Sequence, residues 1–133
     1  MQNGLAILVK SGYNFSVPEP VAWELPHKVI SIKLDELDWS LDLPVWELEG
    51  TDDWNLSPDE ALKQIPGSKT HYERILSADL KYLIIVTTKE GRFFVVDGFH
   101  RLAKMKSQNK QEIKVKLVKY NLIKNYERNL TIF

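Results

Sequence analysis

The stretch from Tyr82 to Asn109 constrains this chain most, because it demands a strand that stops at a tight turn and becomes a helix. Tyr82-Leu83-Ile84-Ile85-Val86 is an apolar run of bulky and β-branched residues, which predicts a strand. Lys89-Glu90-Gly91-Arg92 predicts a turn, with Gly91 free to take positive φ. Phe93-Phe94-Val95-Val96 returns as a second buried strand, and Asp97-Gly98 breaks the pattern. Beyond the break, Leu102 and Met105 stand three apart on one helical face, with Ala103 and Lys104 among good helix formers.

That order of elements has a chemical consequence. The first N–H groups of a helix have no partner within it, and they sit at the positive end of its dipole. Gly98 lets another group approach the backbone there. His100 and Arg101 place two cation-capable side chains in the same first turn, where positive charge is normally unfavourable. An anion at the helix start accounts for them, and phosphate is the commonest such anion. A cap is the other reading: Asp97 caps the helix and pairs with Arg101. The two readings are compatible.

The remaining chain predicts a modest α+β domain. Leu5 to Val9 reads as a short strand, and Pro18, Pro20 and Pro26 argue against regular structure after it. Lys28-Val29-Ile30-Ser31-Ile32-Lys33 alternates as a strand does, and Leu34 to Trp39 suits a helical turn. Leu41 to Asn55 holds Pro44, Gly50, two tryptophans and five acidic residues, and reads as a long loop pinned by Trp46 and Trp54. Ser57-Pro58-Asp59-Glu60 predicts a helix start with a capping box, ending at Gly67. Thr70-His71-Tyr72-Glu73 repeats the box spacing and opens a helix to about Ala78, with Ile75 and Leu76 facing the core. Glu112 to Lys119 predicts a half-buried strand with Ile113, Val115 and Leu117 on one face, and Tyr120 to Phe133 a short amphipathic helix around Leu122, Ile123 and Tyr126. At 133 residues, the expectation is one domain over 1–133, α+β, with a small mixed sheet.

Composition and motifs narrow the chemistry. Formal net charge is zero, and the lysines between Lys104 and Lys124 alternate with apolar residues as a solvated face does, so DNA binding is not expected. The absence of cysteine excludes disulfides, thiol catalysis and thiolate metal sites. No apolar run approaches the roughly 18 residues of a membrane span, and Met1 to Lys10 lacks the basic lead of a signal peptide, so a cytoplasmic location is expected. The three histidines, His27, His71 and His100, are not paired at metal-ligand spacing, and no metal site is expected. There is no Walker A, no G-x-G-x-x-G and no G-x-S-x-G, and Ser68 and Ser107 lack the sharp turn of a serine nucleophile. Phosphate binding, on this reading, falls to Asp97-Gly98-Phe99-His100-Arg101.

Asp97-Gly98-Phe99-His100-Arg101-Leu102 after a buried strand resembles the turn of the ParB/sulfiredoxin-like superfamily. His71-x-x-Arg74-Ile75, Ala78-Asp79-Leu80, the Tyr82–Val86 run, Gly91 and Ile113-x-Val115 extend the likeness to small bacterial members, over roughly Lys28 to Val118. The resemblance implies a nucleotide-phosphate site taking ATP, ADP or CTP with magnesium. Sulfiredoxins hold ATP phosphates with a G-C-H-R turn whose cysteine does the chemistry; Phe99 stands there, so that activity is not expected. ParB proteins contact CTP with the corresponding turn, but no helix-turn-helix follows here, so a ParB-like DNA clamp is not expected. The free-serine kinases carry a D-G-H-H-R turn, matched by Asp97, Gly98, His100 and Arg101 and departed from at Phe99.

The resemblance thus implies a nucleotide- or phosphate-binding protein, with small-molecule phosphotransfer or nucleotide hydrolysis as the activity. Gly98 and the Phe99 amide receive a phosphate, Arg101 neutralises it, and His100 donates a hydrogen bond. Asp97 orients Arg101, holds hydrated magnesium, or acts with His100 as a catalytic group. His71 and Arg74 flank the cleft. The competing expectation is a non-enzymatic interaction or DNA-associated module, in which Trp39, Trp46 and Trp54 are exposed contact residues. Open sheet edges would also permit a homodimer.

Overall fold

In the computed structural model, which describes residues 3–128, the chain is an α+β fold built on a mixed sheet of strands β1 (Lys28–Lys33), β2 (Ile84–Lys89), β3 (Arg92–Asp97) and β4 (Glu112–Val118). The sheet order is β1-β4-β2-β3. β1 runs antiparallel to β4 with Ile32 opposite Ile113, and β4 runs parallel to β2 with Val115 beside Ile84. The β2–β3 hairpin turns at Glu90 and Gly91, whose φ values of 54° and 76° match the twist of the strands. Ile85 pairs with Asp97 but Val86 pairs with Val95, so Val96 is the extra residue of a bulge. The bulge re-aims the end of β3 one residue before Gly98.

Two apolar layers cover the sheet. Ile84, Val86 and Val95 face a core closed by α3 (Pro58–Leu62), α4 (Lys69–Ser77) and α5 (Phe99–Ser107). Ile85, Phe94 and Val118 face a second core formed with Leu8, Tyr13, Phe15 and Ile123. β2 is therefore buried on both faces through Ile84–Thr87, which explains its unbroken apolar reading. Leu102 and Ala103 are fully buried and clamp α5 to the sheet, Leu102 contributing about 1.5–3 kcal/mol of transfer free energy. The N-terminal segment also reaches the edge strand: the Val95 N–H donates to the Tyr13 hydroxyl at 2.8 Å.

Several local expectations are corrected. Leu5 to Val9 lies in helix α1 (Gly4–Lys10), capped by Asn3, whose side chain accepts from the Ala6 N–H; a short apolar run does not separate helix from strand by period. The proline-rich segment forms α2 (Glu19–Glu24), because Pro18 and Pro20 fall at its start, where no N–H is needed. The Ser57–Glu60 capping box forms, but α3 stops at Leu62 and Gln64 takes φ 57°, well before Gly67. α4 begins at Lys69, because both the N–H and the hydroxyl of Thr70 donate to Glu49 Oε1 and no box forms. Ile75 is buried but Leu76 is 57% exposed. Tyr82 and Leu83 precede β2, and Tyr82 is exposed. After β4 the chain makes two 3-10 turns, Tyr120–Leu122 and Lys124–Tyr126, in place of an amphipathic helix; residues 129–133 of that expectation lie outside the described residues. No helix among the described residues is long and apolar enough to cross a membrane.

The tryptophans are also redistributed. Trp46 is buried, and Trp39 and Trp54 are half-buried, because each ring has a core to cover. Trp39 packs edge-on to Phe94 with centroids 5.3 Å apart. The exposed tryptophan is Trp23, on α2.

Candidate functional site

The turn between β3 and α5 opens into a cleft of about 480 Å³, lined among others by Trp23, Arg74, Tyr82, Asp97, Gly98 and His100. Gly98 is the N-cap residue of α5 at φ 123°, a conformation that a side chain disfavours. No side chain caps the helix, and the first helical bond is Leu102 N–H to the Gly98 carbonyl. The amides of Phe99, His100 and Arg101 are thus without a partner inside the helix. Pairing of Asp97 with Arg101 is found; capping by Asp97 is not.

Arg101 is drawn inward. Its guanidinium donates to Asp97 Oδ2 at 2.7 Å and to the Leu83 carbonyl at 2.9 Å, and its side chain is only 12% exposed. Asp97 Oδ2 takes a further hydrogen bond from Trp23 Nε1 at 2.9 Å. Trp23 in turn stacks on Tyr82, with centroids 5.4 Å apart, and both rings are nearly half exposed at the cleft mouth. Arg74 is exposed on the same cleft and has no ion-pair partner among the described residues. The Phe99 ring turns to the second core, 5.9 Å from Tyr13.

His100 and His71, separated by 29 positions in the chain, are hydrogen-bonded, Nε2 to Nδ1 at 2.9 Å. The histidines that sequence spacing left unpaired are therefore a pair. His71 is buried behind His100, and its Nε2 donates to Glu47 Oε1 at 3.0 Å. The two imidazoles are nearly coplanar, at 11°, and Trp46 lies over both, with centroids 4.5 Å from His71 and 4.2 Å from His100. The Trp46 loop is held by its own backbone: the Trp46 carbonyl accepts from Trp54, Asn55 and Leu56, and its N–H donates to Leu56.

The electrostatics follow from this packing. Burial, with the His71 ring and the cations of Arg74 and Arg101 nearby, pushes His100 down to about 4 despite the opposing carboxylate of Glu47. For Glu47, burial acts upward, but the hydrogen bond and charge of His71 outweigh it and hold the carboxyl below its usual range.

Of the residues singled out in the sequence, the fold gathers Asp97, Gly98, His100, Arg101 and Arg74 on one cleft and puts His71 directly behind His100. Sequence reasoning missed Glu47, Trp23 and Tyr82. An acidic residue beside a tryptophan in a long loop was the available signal for Glu47; nothing local marks Trp23. No family model, characterised protein or solved structure matches the chain.

Proposed function

We propose that this protein binds a phosphorylated small molecule, a nucleotide foremost, in the cleft at the start of α5, and that it is a ParB/sulfiredoxin-like protein. The observation that carries the reading is an uncapped nine-residue helix whose glycine N-cap opens on a cleft holding the unpaired cation of Arg74. Free helix amides and a cation on one cleft suit a phosphate. Arg74, rather than the inward-turned Arg101, supplies the neutralising charge. The exposed faces of Trp23 and Tyr82 at the cleft mouth suit a nucleobase, since every base offers a stacking face. Magnesium would arrive with the phosphates, with the second oxygen of Asp97 as a ligand this chain can add.

Calorimetry and thermal shift with ATP, ADP, CTP, GTP and pyrophosphate, with and without magnesium, test this. A nucleotide should stabilise the wild type, and Arg74→Ala should weaken binding about tenfold or more while leaving unliganded stability within about 0.5 kcal/mol. No shift for any of them at millimolar concentration sinks the nucleotide reading.

A further inference from the structure

We propose that Glu47, His71 and His100 form a proton relay, and that its outer end, Nδ1 of His100, is a general base for water attacking a phosphoric anhydride held in the cleft. The reaction rests on the phosphate-binding reading above; the relay itself rests on the contact geometry and a neutral His71. An ionised Glu47 carboxylate can only accept, so His71 must carry its proton on Nε2. In the proposed resting state His71 is neutral, so its Nδ1 accepts and His100 donates across the 2.9 Å contact from Nε2. That leaves the Nδ1 lone pair of His100 without a proton.

This nitrogen is also accessible. Among the described residues, Trp39 Nε1 is the buried side-chain polar atom without a partner, so the unpartnered Nδ1 of His100 reaches solvent. His100 lines the cleft, and in the proposed relay its Nδ1 stands against the water of that site. Water needs no further partner to be the nucleophile.

The step balances on these atoms. A water O–H gives its proton to Nδ1 of His100 as the oxygen bonds to phosphorus, and the bond from phosphorus to the bridging oxygen breaks. The leaving phosphate departs with that electron pair. The Nε2 proton of His100 passes to Nδ1 of His71, so the positive charge rests on His71 beside the Glu47 carboxylate. The reverse shift returns the proton to the leaving phosphate or to solvent. His100 alone, held at about 4 chiefly by burial and with the cations of Arg74 and Arg101 nearby, is a poor resting place for a proton. Moving the charge inward, where Glu47 faces it, removes that difficulty. Trp46 covers both rings and keeps them in one plane.

Two measurements test the relay separately from nucleotide binding. Nitrogen-15 NMR of the unliganded protein should show both histidines protonated at Nε2 near neutral pH, with the pair taking up one proton, not two, until the pH of about 4 at which His100 itself titrates. Glu47→Gln should disturb that tautomer pattern. A His100 protonated on Nδ1, or two imidazoles titrating independently, overturns the relay whether or not any nucleotide binds. Phosphate release from magnesium complexes of ATP, ADP, CTP and pyrophosphate tests the reaction. His100→Gln should lose about 100-fold or more in rate at saturating ligand, and Glu47→Gln should lose less while moving the pH profile. A wild type that binds one of these but releases no phosphate, or a His100→Gln as fast as wild type, overturns the catalytic role. A wild type that binds none of them overturns the phosphate reading, with the NMR result still deciding the relay.

Discussion

His100 and Arg101 are consecutive residues of the first turn of α5, and both can carry positive charge, yet the fold uses them in opposite ways. Arg101 turns into the protein and spends donors on Asp97 and the Leu83 carbonyl. It ties the helix start to the end of β3 and to the segment before β2. His100 turns toward α4, is partnered at one ring nitrogen by His71, and lines the cleft. The difference shows that charge is a poor marker of a ligand-binding residue. Unspent hydrogen-bonding capacity at a solvent-reached atom is a better one, because a side chain whose donors are already matched must break a bond to take a ligand.

Arg101→Ala should break this contrast most sharply. It strips the partly buried Asp97 of its cation, leaving only the Trp23 N–H on it, and leaves the Leu83 carbonyl unpaired, and should destabilise the unliganded protein by about 3 kcal/mol, read from urea unfolding. Arg101→Lys should recover little of it, since an ammonium lacks the planar fork that reaches both acceptors. Unchanged stability in Arg101→Ala would mean that the residue is held for a ligand after all.

Gly98→Ala strikes the same half. A Cβ at Gly98 would stand 3.1 Å from the Arg101 guanidinium and 3.2 Å from Ile84, at a φ of 123° that alanine disfavours. The expected loss is about 2 kcal/mol, with the His71–His100 contact intact by NMR. If that contact is lost as well, the two halves of the turn are coupled and the comparison fails.

The His100 half should show itself through pH. His100 stays neutral in the folded protein down to about 4, whereas an unfolded histidine takes up its proton near 6.5. Between those values the unfolded state binds more protons, so stability falls as pH is lowered from about 6.5 to 4. Allowing for partial solvent screening, the loss is about 1–2 kcal/mol. His100→Gln should remove that part of the slope. The same slope in both proteins would assign it to other groups. Glu47 acts lower: held below its ordinary range, its contribution is present above that range and is lost as pH falls through its folded value.

Much of the framework was legible locally. The β2–β3 hairpin, the break at Asp97-Gly98, the α5 face carrying Leu102 and Met105, and the Ser57 capping box are all signalled by residues within one turn or one strand of each other. Where neighbours supplied no such signal, the reading failed. Leu5 to Val9 forms a helix because Asn3 caps it and Leu8 finds a core, and the second of these is a distant partner. Thr70 fails to cap because Glu49, 21 positions earlier, takes its N–H and hydroxyl first.

The chain by itself determined the strand–turn–helix unit, its glycine N-cap and the presence of two cation-capable residues in one helical turn, because backbone sterics and helix periodicity act over a few neighbours. Tertiary structure alone decided which of those residues keeps an atom free. The Glu47–His71–His100 line spans 53 positions, from Glu47 to His100, and exists only because the Trp46 loop, α4 and α5 converge. Hydrogen bonds of that kind are settled by which partners the packed segments bring within reach, and that is invisible in any local stretch of sequence.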